Sequence, residues 1–86
     1  MSKYFRNRKA SEWRTVLIAF GYKHINSNGD DQVWAKEGCN QVVLVPGRDS
    51  EVIILQTAMD MSRKVGKCGI SKKDVLKWWK ENGYGE

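Results

Sequence analysis

The chain has a single histidine, His24, and histidine is the side chain most often used for general acid–base chemistry near neutral pH. It falls in a short extended segment, where a lone His more commonly faces solvent or packs on a tryptophan. Asp30 and Asp31 are adjacent, and in extended backbone adjacent side chains point to opposite sides, so the pair cannot jointly hold a metal without a bent loop. The run Asn26-Ser27-Asn28-Gly29-Asp30-Asp31 holds five oxygen-bearing side chains. It lacks both the ligand spacing and the closing Glu of a calcium loop, and reads as a turn. Ser62 and Ser71 have no His nearby in sequence, and no phosphate-binding loop, zinc-protease helix, nucleophile elbow or dinucleotide fingerprint occurs. Cys39 and Cys68 stand 29 residues apart and form no CxxC pair. One disulfide could join them. With Met1–Lys9 polar, basic and followed by no apolar stretch, no secretory signal is expected, and two reduced thiols in a cytoplasmic protein are the expectation. Structural zinc needs about four ligands, and two Cys with one His do not supply them. No metal or cofactor is implied.

Binding chemistry is better represented than catalysis. The 86 residues carry a net charge of +5, which favours an anionic partner without deciding the fold. The charge is unevenly spread. Residues 1–14 hold Lys3, Arg6, Arg8, Lys9 and Arg14 against Glu12; residues 15–50 hold three bases against four acids; residues 51–86 hold seven bases against five acids. Lys3, Arg6, Arg8 and Lys9, with Lys23, Lys36 and Arg48, are the candidate nucleic-acid-contacting cations, with an ordinary solvated surface as the equal alternative. Trp34 beside Lys36 could stack on a base if it faces outward. Trp78 and Trp79 are consecutive and, on a helix, about 100° apart; Trp79 suits a core, and Trp78 sits at its edge. Trp34 and Trp78 are the candidate partner-binding aromatics. No apolar run approaches the ~18 residues of a membrane helix.

These residues must be positioned by one small domain. Residues 1–10 show no periodicity and read as a flexible basic arm, with residues 11–86 as the domain. Ser11 can cap a helix whose Trp13, Val16, Leu17 and Phe20 follow the i, i+3, i+4, i+7 pattern, and Gly21 can end it. Tyr22–Ile25 reads as a strand. Gln32–Lys36 alternates, with Gln32, Trp34 and Lys36 on one face and Val33 and Ala35 on the other. Gln41–Val45 is a β-branched run suited to a central strand. Pro46-Gly47 stops it, Pro by its fixed φ and Gly by a positive one. Ser50 can cap a helix over 51–65; the rival reading makes Glu51–Gln56 a fourth strand. Ser71-Lys72-Lys73-Asp74 matches a capping box, Ile70 can staple onto Val75, and a last helix runs over 71–82 to Gly83. The expectation is an α+β fold of order α-β-β-β-α-α: a three-stranded antiparallel sheet with helices on one face.

Several of these segments resemble the HicA-type toxins of bacterial toxin–antitoxin modules. Phe20-Gly21-Tyr22 resembles the family's exit from its leading helix into strand one. Asn28-Gly29-Asp30-Asp31 followed by Val33-Trp34 resembles its Gly-Ser-His or Gly-Asp-His turn. Val42–Val45 then Pro46 is similar to its third strand, and Lys67-Cys68-Gly69-Ile70 to the close of its second helix. The likeness covers about residues 11–71, with 71–86 resembling an addition to the shortest members. It implies a fold like that of double-stranded-RNA-binding domains, metal-independent mRNA cleavage and neutralisation by a HicB-type antitoxin. It also implies an essential His in the Gly-x-His turn, where this chain has Asp31. An aspartate, anionic at neutral pH, repels phosphate and has no proton to donate. The family's Pro-Gly-Thr-Leu helix entry is replaced by Gly47-Arg48-Asp49-Ser50.

Three functional expectations follow, in order. The first is a HicA-like RNA-binding-fold protein whose ribonuclease activity is weakened or lost. The second is an interaction module that binds an antitoxin-like protein or a second copy of itself. The third is an active ribonuclease with a site rebuilt around His24 or Asp31.

Overall fold

The computed structural model describes residues 8–84. Their elements are β1 (Arg8–Lys9), α1 (Ala10–Ala19), β2 (Tyr22–Asn28), β3 (Asp31–Lys36), β4 (Val42–Pro46), β5 (Val52–Ile53), α2 (Leu55–Lys67) and α3 (Lys72–Glu81). Strands β2, β3 and β4 form an antiparallel meander with β3 at its centre, and β1 pairs with β5 in a separate two-stranded ribbon. The α+β class, the sheet and the trailing helices are as the residue pattern anticipates.

The core explains the order. Trp13, Val16 and Leu17 of α1, Tyr22, Trp34, Val43 and Val45 of the sheet, Ala58, Met61 and Val65 of α2, and Val75 and Trp79 of α3 are all buried together. Apolar residues three and four apart on each helix therefore share one hydrophobic layer with alternate residues of each strand. Trp13 and Trp79 meet edge to face at 4.9 Å between ring centroids, and the Trp79 indole N–H donates to the Glu12 carbonyl at 3.1 Å. Ser71 caps α3 as expected: its Oγ accepts from Asp74 N–H, and the Asp74 carboxylate accepts from Ser71 N–H.

The start of the chain departs from the expected arm. Residues 1–7, with Lys3 and Arg6, lie outside the described residues. Arg8, Lys9 and Ala10 are built into the fold, because Arg8 pairs with Ile53 and Lys9 with Val52. Arg8 is buried with its guanidinium 4.6 Å from the Trp79 ring centroid and 3.4 Å from the Glu12 carboxylate. Helix α1 consequently begins at Ala10 and not after Ser11. The first-turn donors are taken by backbone, Ala10 N–H by Glu51 O and Ser11 N–H by Asp49 O, and Lys9 N–H by the Glu12 carboxylate at 2.7 Å.

The same ribbon corrects the start of the second helix. Ser50 caps nothing; Val52 and Ile53 are strand, and α2 begins at Leu55 after Ile54. The strand alternative holds for these two residues only, whose backbone pairs with β1. Gly47 also has a different reason from the expected one. It is not among the positive-φ glycines. A Cβ there would meet Asp30 O at 2.9 Å, and Gly47 N–H donates to that same oxygen at 2.8 Å. The β2–β3 hairpin is tighter than the Asn-rich run suggests, with only Gly29 and Asp30 between paired Asn28 and Asp31, and Gly29 at φ +64°. Finally, Cys39 and Cys68 are joined in a disulfide with Cα atoms 5.5 Å apart. The expected pair of free thiols is overturned, since the fold brings the β3–β4 connection against the C-terminal cap of α2.

Candidate functional site

The strand register separates the two candidate catalytic residues. His24 is paired with Trp34, and Trp34 with Val43, on the helix-covered face of the sheet. Asp31 is paired with Asn28 and Pro46, an odd number of residues along β3 from Trp34, and therefore belongs to the opposite face. The two side chains cannot converge on one phosphate.

His24 lies exposed on edge strand β2, its ring stacked on Trp34 at 5.5 Å and 24°. Its Nε2 is 3.4 Å from Ser27 Oγ, beyond normal O–H···N hydrogen-bond length. A bulge at Ile25 puts Ser27 on the same face as His24, with Gln32 as its cross-strand partner. The Gln32 side-chain carbonyl accepts from the Trp34 indole N–H at 3.3 Å and from the Arg14 guanidinium at 3.5 Å. Ser27, Gln32 and Arg14 were not singled out from sequence; the bulge that assembles them has no glycine or other sequence mark. Arg14 is held in place by the Pro46 carbonyl at 2.7 Å and by the Asp49 carboxylate.

Asp31 lines a groove of about 440 Å³ together with residues of β4, β5 and α2. Its apolar part comes from Leu44, Pro46, Val52, Ile53, Ile54 and Met61; Glu51 and Asp60 join Asp31 as acids, against the single base Lys64. A protein of net charge +5 thus surrounds this groove with acids, which raises the energy of a phosphate there. Ile54 and Val52 are 64% and 47% exposed beside it. No three His, Cys, Asp or Glu side chains among the described residues are grouped so as to hold a metal ion.

The candidate RNA-contacting cations divide by what they already do. Arg8 is buried against Trp79, and Lys36 donates to the Phe20 carbonyl at 2.7 Å, bracing the end of α1 against β3. Lys9, Lys23 and Arg48 are exposed, on β1, β2 and the β4–β5 connection. They do not form a single cluster along the chain. The denser basic surface is later: residues 60–81 hold Arg63, Lys64, Lys67, Lys72, Lys73, Lys77 and Lys80 against Asp60, Asp74 and Glu81. Lys73, Lys77 and Lys80 share the outer face of α3, opposite buried Val75 and Trp79.

Neither candidate partner-binding aromatic is an open platform. Trp34 is 6% exposed and faces the core, which removes it as an outward-facing stacking surface. Trp78 is half-buried at the edge of the core, stacked on Tyr84 at 5.9 Å and 22°. Its neighbours one helical turn away are Asp74, Val75, Glu81 and Asn82, none of them a lysine. Among the described residues Tyr22 is the titratable group that its surroundings perturb. Burial holds its phenol above the ordinary tyrosine range, and its hydroxyl has no hydrogen-bond partner among the described residues.

Comparison of the chain with protein-family models, with curated proteins and with solved structures finds no match. No helix among the described residues is long and apolar enough to cross a membrane.

Proposed function

We propose that this is a HicA-like RNA-binding-fold protein that holds RNA through phosphate contacts and does not cut it. The separation of His24 and Asp31 onto opposite sheet faces carries the non-cleaving part of this reading. Metal-independent RNA cleavage needs a base for the attacking hydroxyl and an acid for the leaving oxygen within reach of one phosphate. The position where the resembled family carries its histidine is here an aspartate among further acids. Binding is supported by the basic surface of α2 and α3, with Lys9, Lys23 and Arg48 as additional exposed cations. Shape and phosphate contacts are the terms in which double-stranded RNA is recognised.

The test is fluorescence anisotropy with short duplex and single-stranded RNA across a salt series. Three phosphate contacts on a single strand give a log–log slope of about −2. The triple variant Lys73→Glu, Lys77→Glu, Lys80→Glu flattens that slope and weakens binding on all sequences alike. No binding at low salt removes the proposal.

A second reading, an interaction module for an antitoxin-like protein or a second copy, is favoured by one observation: the acid-rimmed groove with exposed Val52 and Ile54. Co-purification with the product of a neighbouring gene, together with absent RNA affinity, selects it over the first.

A further inference from the structure

We propose that the Cys39–Cys68 disulfide is a thiol-exchange site for anionic low-molecular-mass thiols of the glutathione class. Both cysteines are partly exposed and open onto a cleft of about 440 Å³. Its wall includes Lys36, Asn40, Gln41 and Lys67, and its one acid is Glu37. Two lysines around a solvent-accessible disulfide act twice in exchange. They draw in a negatively charged attacking thiolate, and they stabilise the thiolate that leaves.

The chemistry balances without any further reactant. A small thiolate attacks one protein sulfur, the protein S–S bond breaks, and its electron pair departs on the other cysteine, which takes up a proton. A second small thiolate then attacks the mixed disulfide, releasing the oxidised small disulfide and the second protein thiol. The protein gains two electrons and two protons, and two small thiols are oxidised to one disulfide. Opening the bond uncouples the β3–β4 connection from the α2 cap. Val65, Ile70, Val75 and Trp79 are buried on either side of that corner with the bond closed, and on this proposal their packing holds the fold while exchange takes place. The proposal does not rest on RNA binding, although Lys67 belongs both to this cleft and to the basic surface of α2 and α3.

The experiment treats the oxidised full chain with millimolar glutathione or with neutral 2-mercaptoethanol, quenches in acid and follows the mixed disulfide by mass spectrometry. Tryptophan fluorescence reports in parallel that the fold is intact. A mixed disulfide forms with both reagents on folded protein. Lys67 is exposed, so Lys67→Glu keeps the fold, and it lowers the glutathione rate relative to the mercaptoethanol rate by about fivefold, the effect in water of reversing one charge roughly 8 Å from glutathione's extra negative charge. A disulfide that stays closed until the protein unfolds overturns the proposal. A rate ratio unchanged by Lys67→Glu overturns the selectivity for anionic thiols, and two absolute rates unchanged by it overturn the role given to the lysines.

Discussion

Removing the Cys39–Cys68 bond by Cys39→Ala with Cys68→Ala releases a closed segment of 29 residues in the unfolded chain. Chain-entropy bookkeeping for that separation gives about −12 cal/mol/K, or roughly 3.6 kcal/mol at room temperature. A domain of this size has a total stability of about 4–13 kcal/mol, so the cross-link is a large share of it. Each 1 kcal/mol moves the midpoint by about 4–8 °C in a domain of this length, which places the expected fall at roughly 15–30 °C. The assay is urea and thermal unfolding of the oxidised protein and the double variant, followed by tryptophan fluorescence. Oxidised protein has a mass lower by two hydrogens than its fully reduced form. A loss below about 1 kcal/mol, or an oxidised protein with free thiols, refutes the placement of the β3–β4 connection against the α2 cap.

The disulfide also shows where sequence reasoning runs out. The helix stripes were legible because their evidence is local: Trp13, Val16 and Leu17 follow helical spacing, and Ser71 with Asp74 spells its own cap. The alternation over Gln32–Lys36 likewise placed Trp34 and Val33 on different faces. What stayed hidden was decided between distant segments. Arg8 looked like part of a mobile arm until Trp79 and Glu12 gave its guanidinium a buried place. Val52 and Ile53 read from the sequence as the first turn of a helix, and only β1 as a partner makes them strand. Gly47 looked like a turn glycine, but its lack of a side chain serves the approach of Asp30 O. That Asp31 stands where the resemblance leads one to expect a histidine is legible in the sequence; its opposition to His24 across the sheet depends on the bulged register.

Further outcomes follow from the same contacts. Tyr22→Phe removes a buried hydroxyl that has no partner among the described residues and stabilises the protein by about 1 kcal/mol, read by urea unfolding. Because burial raises the Tyr22 pKa, the unfolded chain releases this proton first. Stability from this group is complete below the ordinary tyrosine pKa and falls as pH rises through and above it, a decline that Tyr22→Phe reduces. Gly47→Ala forces Asp30 O away from its 2.9 Å approach and costs about 1–3 kcal/mol, measured in the same way. Trp79→Ala empties the contact between α1, Arg8 and α3 and costs roughly 3–5 kcal/mol, with unfolding at lower temperature as the readout.

Binding without cutting is tested most directly by incubating the protein with end-labelled RNA, measuring anisotropy across salt, and running the same samples on a denaturing gel. The account predicts salt-sensitive binding to RNA that stays intact, with His24→Ala and Asp31→Ala unchanged in both readouts. Absence of binding at low salt contradicts it, and so does cleavage that disappears in either variant.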